Sequence, residues 1–315
     1  MSDVVAPTAR ACTADDVQAV LALVRADEER VSGRPSRLVE GDVRDWWQTV
    51  DLAAESWLLE APGSQQAIGV TWLDRPPAAD VGIAFPIAAE LEALPVLVDL
   101  AERRATELAL PRLQLGVLLP DPPAEALLAD RGYREVRRFF DMAIEFDGPP
   151  AAAVVPAGFT LRTATVADGP DFHATIDESF RDHWEFHPRP FDEWWQLRTS
   201  DPDFDISWWF LMWEGDRAVA AIRNVPARNG GVYVATLGVR RDRSGRGLAK
   251  ALLAHTFARA WEAGYPRVTL GVDATSPTGA TALYRAMGMT TQLESAVWEK
   301  GLTPAGAGSA AGGAP

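Results

Sequence analysis

The segment PRLQLGV begins at Pro111 and its near copy PRVTLGV at Pro266, an offset of 266 − 111 = 155 residues. WWQ begins at Trp46 and again at Trp194, an offset of 148, and Gly132 in LLADRGY falls opposite Gly288 in LYRAMGM. The matches come in the same order in both halves, so the chain reads as a tandem duplication. A duplicated chain of 315 residues, 47% of them hydrophobic, must bury two cores built on one plan. Between the copies, EFDGPPAAAVVPAGF from Glu145 to Phe159 has the Gly, Pro and Ala content of a linker. The tail LTPAGAGSAAGGAP from Leu302 is too poor in apolar bulk to form a core and is expected to be disordered. The implied division is a first domain at 1–147, a linker at 148–157, a second domain at 158–300 and a tail at 301–315.

Each copy repeats one order: a short strand, one or two helices, a hairpin, a strand, a long helix, a strand, a short helix and a final strand. In the second copy these fall at 159–163, 169–180 with 191–199, 208–225, 233–239, 247–263, 267–273, 279–287 and 291–298. The long helix places Leu248, Leu252, Phe257 and Trp261 at near-helical spacing, and Gly264 then Pro266 stop it. An early hairpin within a mixed order argues for an α/β fold of the α+β kind. Each copy should be a mixed, mostly antiparallel sheet flanked by helices.

Composition narrows the function. The single cysteine, Cys12, excludes a disulfide framework and fits a cytoplasmic chain. No secretory leader is apparent in MSDVVAPTAR, and no apolar window is long enough for a membrane span. A formal charge of −14 argues against nucleic-acid binding, which relies on a Lys/Arg excess. An anionic ligand then requires a local cationic site, and the run Arg240, Arg241, Arg243, Arg246 and Lys250, opposed only by Asp242, supplies one. Within that run RSGRGLAKALL sets Gly245 and Gly247 directly before a helix start. Glycine permits positive φ, and a helix N-terminus offers unpaired N–H groups and a positive dipole end, which together suit a phosphate. A plain two-glycine turn is the competing reading.

The stretches VATLGVRRDRSGRGLAKALL and LGVDATSPTGATALYRAMGM resemble the GCN5-related N-acetyltransferase (GNAT) family, over Phe159 to about Trp298. The resemblance implies two tandem GNAT-fold domains and acetyl-CoA as co-substrate. The family's Arg/Gln-x-x-Gly-x-Gly/Ala motif falls on Ser244, Gly245, Arg246, Gly247, Leu248 and Ala249, with the amides of Gly245 to Lys250 cradling the pyrophosphate. Ser244 departs from the motif, and Arg243 or Arg246 is expected to supply the charge. The resemblance further implies that Leu237, Gly238 and Val239 pair with the pantetheine arm, that the Val239 N–H steadies the oxyanion, and that Tyr284 protonates the departing thiolate. Ser276 stands where members commonly hold a CoA-contacting Asn.

The first copy serves as an internal control. Opposite the glycine loop it reads VGIAFPIAAELEALPV, with Glu90 and Glu92 where phosphates would lie, and Leu128 stands opposite Tyr284. It is therefore expected to be a degenerate copy without a CoA site. HWEFH, from His183 to His187, has no counterpart there. The family's acceptor pocket borders this segment, making Glu185, His183 and Asp182 candidates to take a proton from an amine; an ordinary surface turn is the alternative. No carboxylate sits on the strand before the loop, so the base comes from Glu185, Asp205 or Asp273, or the amine arrives deprotonated. His183 and His187 lack a third ligand, so no metal is expected. The expected function is acetyl-CoA-dependent N-acetyl transfer to an amine of a small molecule or peptide, by direct attack in a ternary complex. The alternative is a non-catalytic CoA-sensing or scaffold protein. Nucleic acid and membrane are not expected partners, and the chain is expected to be a monomer or homodimer. Mycothiol-synthase-type tandem members are distantly similar, although they keep a glycine-rich loop in the first copy and an acidic residue on the second copy's strand, both missing here.

Overall fold

The computed structural model describes residues 7–76, 79–275 and 279–302. In the first half β1 (Thr8–Arg10), α1 (Val17–Ser32), α2 (Glu40–Trp47) and α3 (Leu52–Glu55) lead into β2 (Ser56–Glu60), β3 (Ala67–Asp74), β4 (Val81–Ala84) and β5 (Ile87–Ala88). Then come α4 (Leu94–Glu107), β6 (Arg112–Leu119), α5 (Pro122–Asp130) and β7 (Arg134–Glu145). The second half runs β8 (Thr160–Thr163), α6 (Gly169–Phe180), α7 (Phe191–Thr199), β9 (Trp209–Glu214), β10 (Arg217–Arg228) and β11 (Gly231–Val239). It closes with α8 (Leu248–Glu262), β12 (Arg267–Asp273), α9 (Ala280–Ala286) and β13 (Thr290–Gly301). The order of elements matches the sequence reading in the second copy, and the first adds to it a third helix, α3, and a short strand, β5. The tail beyond Leu302 lies outside the described residues.

The compact units do not divide at the linker. One comprises the chain up to Arg138 together with the residues from Leu293 on, and the other runs from Phe139 to Gln292. In the first unit the strands run β1-β2-β3-β4-β6-β13, with β4 parallel to β6 and the other neighbours antiparallel. In the second they run β7-β12-β11-β10-β9-β8, with only β11 and β12 parallel. Each unit thus takes its last strand from the other half of the chain. Residues Phe139 to Glu145 pair with β12, and Glu294 to Gly301 pair with β6. The segment from Phe139 is driven there by its apolar face, since Met142 is buried with Phe140 and Ile144 packed beside it in the second core.

That core is filled by Leu211 and Met212 of β9, Ala220 and Ile222 of β10, and Leu252 and Phe257 of α8. The first unit has two clusters, one under α4 around Leu97, Leu113 and Leu128, the other under α1 around Val20, Val43 and Leu58. The WWQ pairs are packing elements: Trp194 and Trp195 lie against Phe172, Phe204 and Trp209, and Trp47 is buried, although Trp46 is 36% exposed.

The structure also shows a repeat that sequence matching missed, Arg10-Thr13-Asp16 and Arg162-Thr165-Asp168, at an offset of 152. Asp16 Oδ2 accepts from the Thr13 N–H at 2.7 Å while Arg10 grips the carboxylate through Nη2 to Oδ1 at 2.6 Å and Nη1 to Oδ2 at 2.9 Å. Asp168 accepts from the Thr165 N–H at 2.8 Å and from Arg162 at 2.7 and 2.6 Å. Each clasp ties the first strand of its copy to the start of the first helix. The Arg10 hydrogen bond, helped by those from Thr13, holds the Asp16 carboxyl down to about 2. A carboxyl whose pKa is depressed on folding adds stability above its unfolded value, which is lost as pH falls through the folded one. Allowing for solvent around the half-exposed Arg10, Asp16→Asn should cost about 1–2 kcal/mol at pH 7. Urea melts should show that penalty shrinking from pH 5 toward pH 2.

Candidate active site

The site begins where two parallel strands part. β11 and β12 pair at Val232 with Val268 and at Tyr233 with Thr269, and at no later position among the described residues. Against β10, the register steps from Asn224–Val234 to Arg223–Thr236, leaving Ala235 as an extra residue in β11. Such a bulge bends and twists its strand, here at the point of divergence. The phase of the β10 ladder is fixed by the Arg240 N–H, which donates to the Val219 carbonyl at 2.9 Å. Alternation in an antiparallel pair then turns the Leu237 and Val239 N–H groups away from β10, into the gap on the β12 side, and the Gly238 N–H toward β10. Leu237 and Val239 therefore face the gap through their N–H groups. Gly238 has another role: a Cβ there would fall 2.1 Å from Ser179 Oγ, so the glycine lets α6 pack against the strand.

The chain next makes a short 3-10 turn at Arg241–Arg243 and enters the glycine loop. Gly245 has φ +74° and Gly247 +81°, the latter as the residue capping α8. A Cβ at Gly245 would meet nothing within 4 Å and one at Gly247 only Pro156 at 3.9 Å, so conformation and not crowding requires these glycines. Ser244 is exposed and gives its N–H to the Arg241 carbonyl at 3.1 Å. The first helical bond is Ala251 N–H to Gly247 C=O at 3.0 Å. Among the described residues, the amides of Gly245, Arg246, Gly247, Leu248, Ala249 and Lys250 donate to no protein acceptor. They form a continuous run of N–H groups at the positive end of a four-turn helix, a ready anion cradle.

The cationic run is largely spent within the protein. Arg240 pairs with Glu178, Arg241 with Asp182, and Arg243 with Glu214 at 2.6 Å and Asp242 at 2.9 Å. Arg243 therefore does not supply the charge missing at Ser244. Arg246, 52% exposed and 3.9 Å from Glu214, and Lys250, with no ion pair among the described residues, are what remain.

Tyr284 on α9 is 8% exposed, and burial pushes its phenol up to about 12. Ser276 lies outside the described residues. Of the candidate bases, Asp273 turns back to accept from the Thr275 N–H at 2.8 Å and hydroxyl at 2.9 Å, and Asp205 caps the next turn through the Ser207 N–H at 2.9 Å. Both are turn residues. Glu185 is different: its φ is +51°, uncommon for a side chain other than glycine, and its carboxylate is 15% exposed, 3.4 Å from His187 Nε2. The segment carrying it is tied at one end by Asp182 to Arg241, beyond the end of β11. At Trp184 it meets Phe139, at 6.2 Å between ring centroids, and Phe139 pairs with Asp273 at the end of β12. HWEFH therefore spans the mouth of the gap between the two strands. His173 and His255 are packing residues, the first against the Arg189 carbonyl at 3.0 Å and the second, its pKa lowered by burial, edge-on to Phe210. Among the described residues no group of three or more His, Cys, Asp or Glu is arranged to hold a metal, and no helix is long and apolar enough to cross a membrane.

The first unit parts the matching strands one pair later, since β5 pairs with β3 and not with β6. Its β4 and β6 stay paired at four successive positions, Val81–Arg112 to Ala84–Leu115. Phe85 follows immediately and lays its ring over Gly116, where a Cβ would fall 2.6 Å from it. Glu90 and Glu92 are exposed beside the start of α4, and Leu128 is fully buried.

A splayed parallel pair feeding a glycine-capped helix defines an acyl-CoA transferase fold, and residues 170–289 match the acetyltransferase (GNAT) family model. Over those residues the second half of the chain is similar to that family. Mycothiol acetyltransferase of Geodermatophilus obscurus is 31% identical over 196 residues, 57% of this chain and 61% of that protein. The enzyme of the same name from Streptomyces scabiei is 31% identical over 166 residues, 50% of this chain and 51% of its own. The aligned region thus spans between about half and three-fifths of these relatives. A GCN5-related N-acetyltransferase from Sphaerobacter thermophilus superposes with a TM-score of 0.80 at 28% identity, covering 95% of this chain and 96% of that one. A tandem GNAT protein from the clavulanic acid biosynthesis pathway superposes at 0.71 with 16% identity, covering 95% and 100%. The tandem GNAT fold expected from the sequence is thereby shown, as is the similarity to the mycothiol type despite the two departures noted above.

Gly238→Ala is expected to push α6 off β11 and cost about 1–3 kcal/mol, the range for an overpacked site. Thermal melts should show Ser179→Gly recovering part of the loss in the double variant.

Proposed function

We propose that the second unit is an acetyl-CoA-dependent N-acetyltransferase acting on an amine of a small molecule or peptide, in the cytoplasm. The observation that carries this is the run of unpaired amides from Gly245 to Lys250 lying directly beyond a strand edge whose Leu237 and Val239 N–H groups are also turned outward. Backbone donors at positive φ and a helix dipole fit a pyrophosphate, with Arg246 and Lys250 supplying charge. The outward amides of the β11 edge fit the amide of the pantetheine arm and the thioester oxygen, with Val239 as the oxyanion donor.

The amine nitrogen attacks the thioester carbonyl while both substrates are held. Its surplus proton passes to Glu185 or water, the C–S bond breaks, the Tyr284 hydroxyl gives its proton to the sulfur, and the surplus proton then restores the phenol. Burial suits Tyr284 to that role, because a phenol raised to about 12 stays protonated across the physiological range. The first unit is read as a fold copy without a CoA site: Phe85 covers Gly116, no glycine opens α4, and Glu90 and Glu92 stand before it.

Calorimetry with CoA and turnover of acetyl-CoA over a panel of amines test this directly. Tyr284→Phe should fold and bind CoA normally, since no described residue bonds its hydroxyl, while kcat falls about 100-fold or more. With wild-type protein, kcat should show no decline between pH 8 and 10 from loss of the Tyr284 proton, whereas an unshifted phenol would begin to titrate there. CoA binding without turnover on any amine would instead favour a sensor or scaffold, a reading encouraged by the lack of a carboxylate on β11.

A further inference from the structure

Gly271 marks a hollow on the face of the second sheet opposite α8. It pairs with Asp141 of β7, two positions beyond the last β11–β12 contact, where the gap opens. A Cβ at Gly271 would lie 3.5 Å from Asp141 Oδ1 and 3.6 Å from Tyr233 Oη, so a carboxylate and a phenol converge over a residue with no side chain. Its φ is not positive, so the backbone does not demand glycine. Phe139, on the same face as Asp141, meets Trp184 at 6.2 Å, beside Glu185, which completes an aromatic border.

The duplication supplies the contrast. In the first unit the matching glycine is Gly116, which pairs with Val297 and lies under Phe85. The same hollow is there apolar and filled by the protein's own ring. Among the described residues, a carboxylate and a phenol stand over the glycine in the second unit and an aromatic ring in the first.

We propose that Asp141, carried into the second unit by a strand from the first half of the chain, binds the acceptor's ammonium group, and that the acceptor is a primary alkylamine cationic at neutral pH. This rests on the acetyl-transfer reading above. The carboxylate takes one proton from R–NH3+, the freed lone pair forms the C–N bond as C–S breaks, and the second proton reaches the sulfur by way of Tyr284. The products are the amide and CoA thiol, with one proton returned to solvent from Asp141.

The test is steady-state kinetics of the full chain with acetyl-CoA and two acceptor classes, alkylamines charged at pH 7 and arylamines neutral there, alongside calorimetry with CoA. Asp141→Asn should lower kcat/KM for alkylamines roughly 10- to 100-fold, through KM and kcat together, since it removes both a charged hydrogen bond and the proton acceptor. It should change arylamines by less than about threefold and leave CoA affinity unaltered. Gly271→Ala, whose methyl meets ordinary contact distances, should fold and weaken both acceptor classes without altering CoA binding. Equal losses on both classes with Asp141→Asn, or none, overturn the assignment of Asp141 while leaving acetyl transfer standing. Failure of the wild-type protein to bind CoA or to acetylate any amine brings down both readings.

Discussion

The parting of β11 from β12 is the constraint on which the rest of the second unit depends. Parallel strands satisfy their backbone groups through each other, and separating them exposes donors and acceptors that folding would otherwise pair. The Ala235 bulge makes the separation possible by reorienting one strand without breaking its ladder to β10. Past the bulge, N–H groups at Leu237 and Val239 face the gap, and those at Gly245 to Lys250 follow around the glycine loop. The protein thus holds a track of fixed donors from sheet to helix. Such groups need no reorganisation when a ligand's oxygens arrive, which is the physical basis of preorganised recognition.

Much of this was legible in the sequence because it is local. Two glycines before a helix impose positive φ whatever surrounds them, and Leu248, Leu252 and Phe257 show their core face by spacing alone. Properties set by partners far along the chain were hidden. Arg243 looked available for an anion until its pairing with Glu214 was seen, and Gly238 looked like part of a ligand-binding edge until Ser179 was found against it. The exchange of final strands was illegible for a related reason. LQLGV and VTLGV offer nearly the same edge, so pattern alone gives a final strand no preference for its own copy. Asp141 escaped notice because it sits in the half that reads as degenerate.

The two units differ most plainly around the matching glycines, Gly116 and Gly271. Phe85 occupies the space over Gly116, and Glu90 and Glu92 stand near the helix start, where the second unit has Asp141, Tyr233 and the glycine loop. The Arg-Thr-Asp clasp persists in both units, because it joins strand to helix and does not touch the opening.

Strand exchange gives the linker an unexpected status. A cut at 148–157 would look harmless on composition, yet it would separate Phe139–Glu145 from β12, which would then show a bare edge with its ladder groups unmet. The residue range that resembles a self-sufficient family domain is therefore not one. The first copy thus completes the second unit's sheet by donating a strand, a contribution that needs no ligand site of its own.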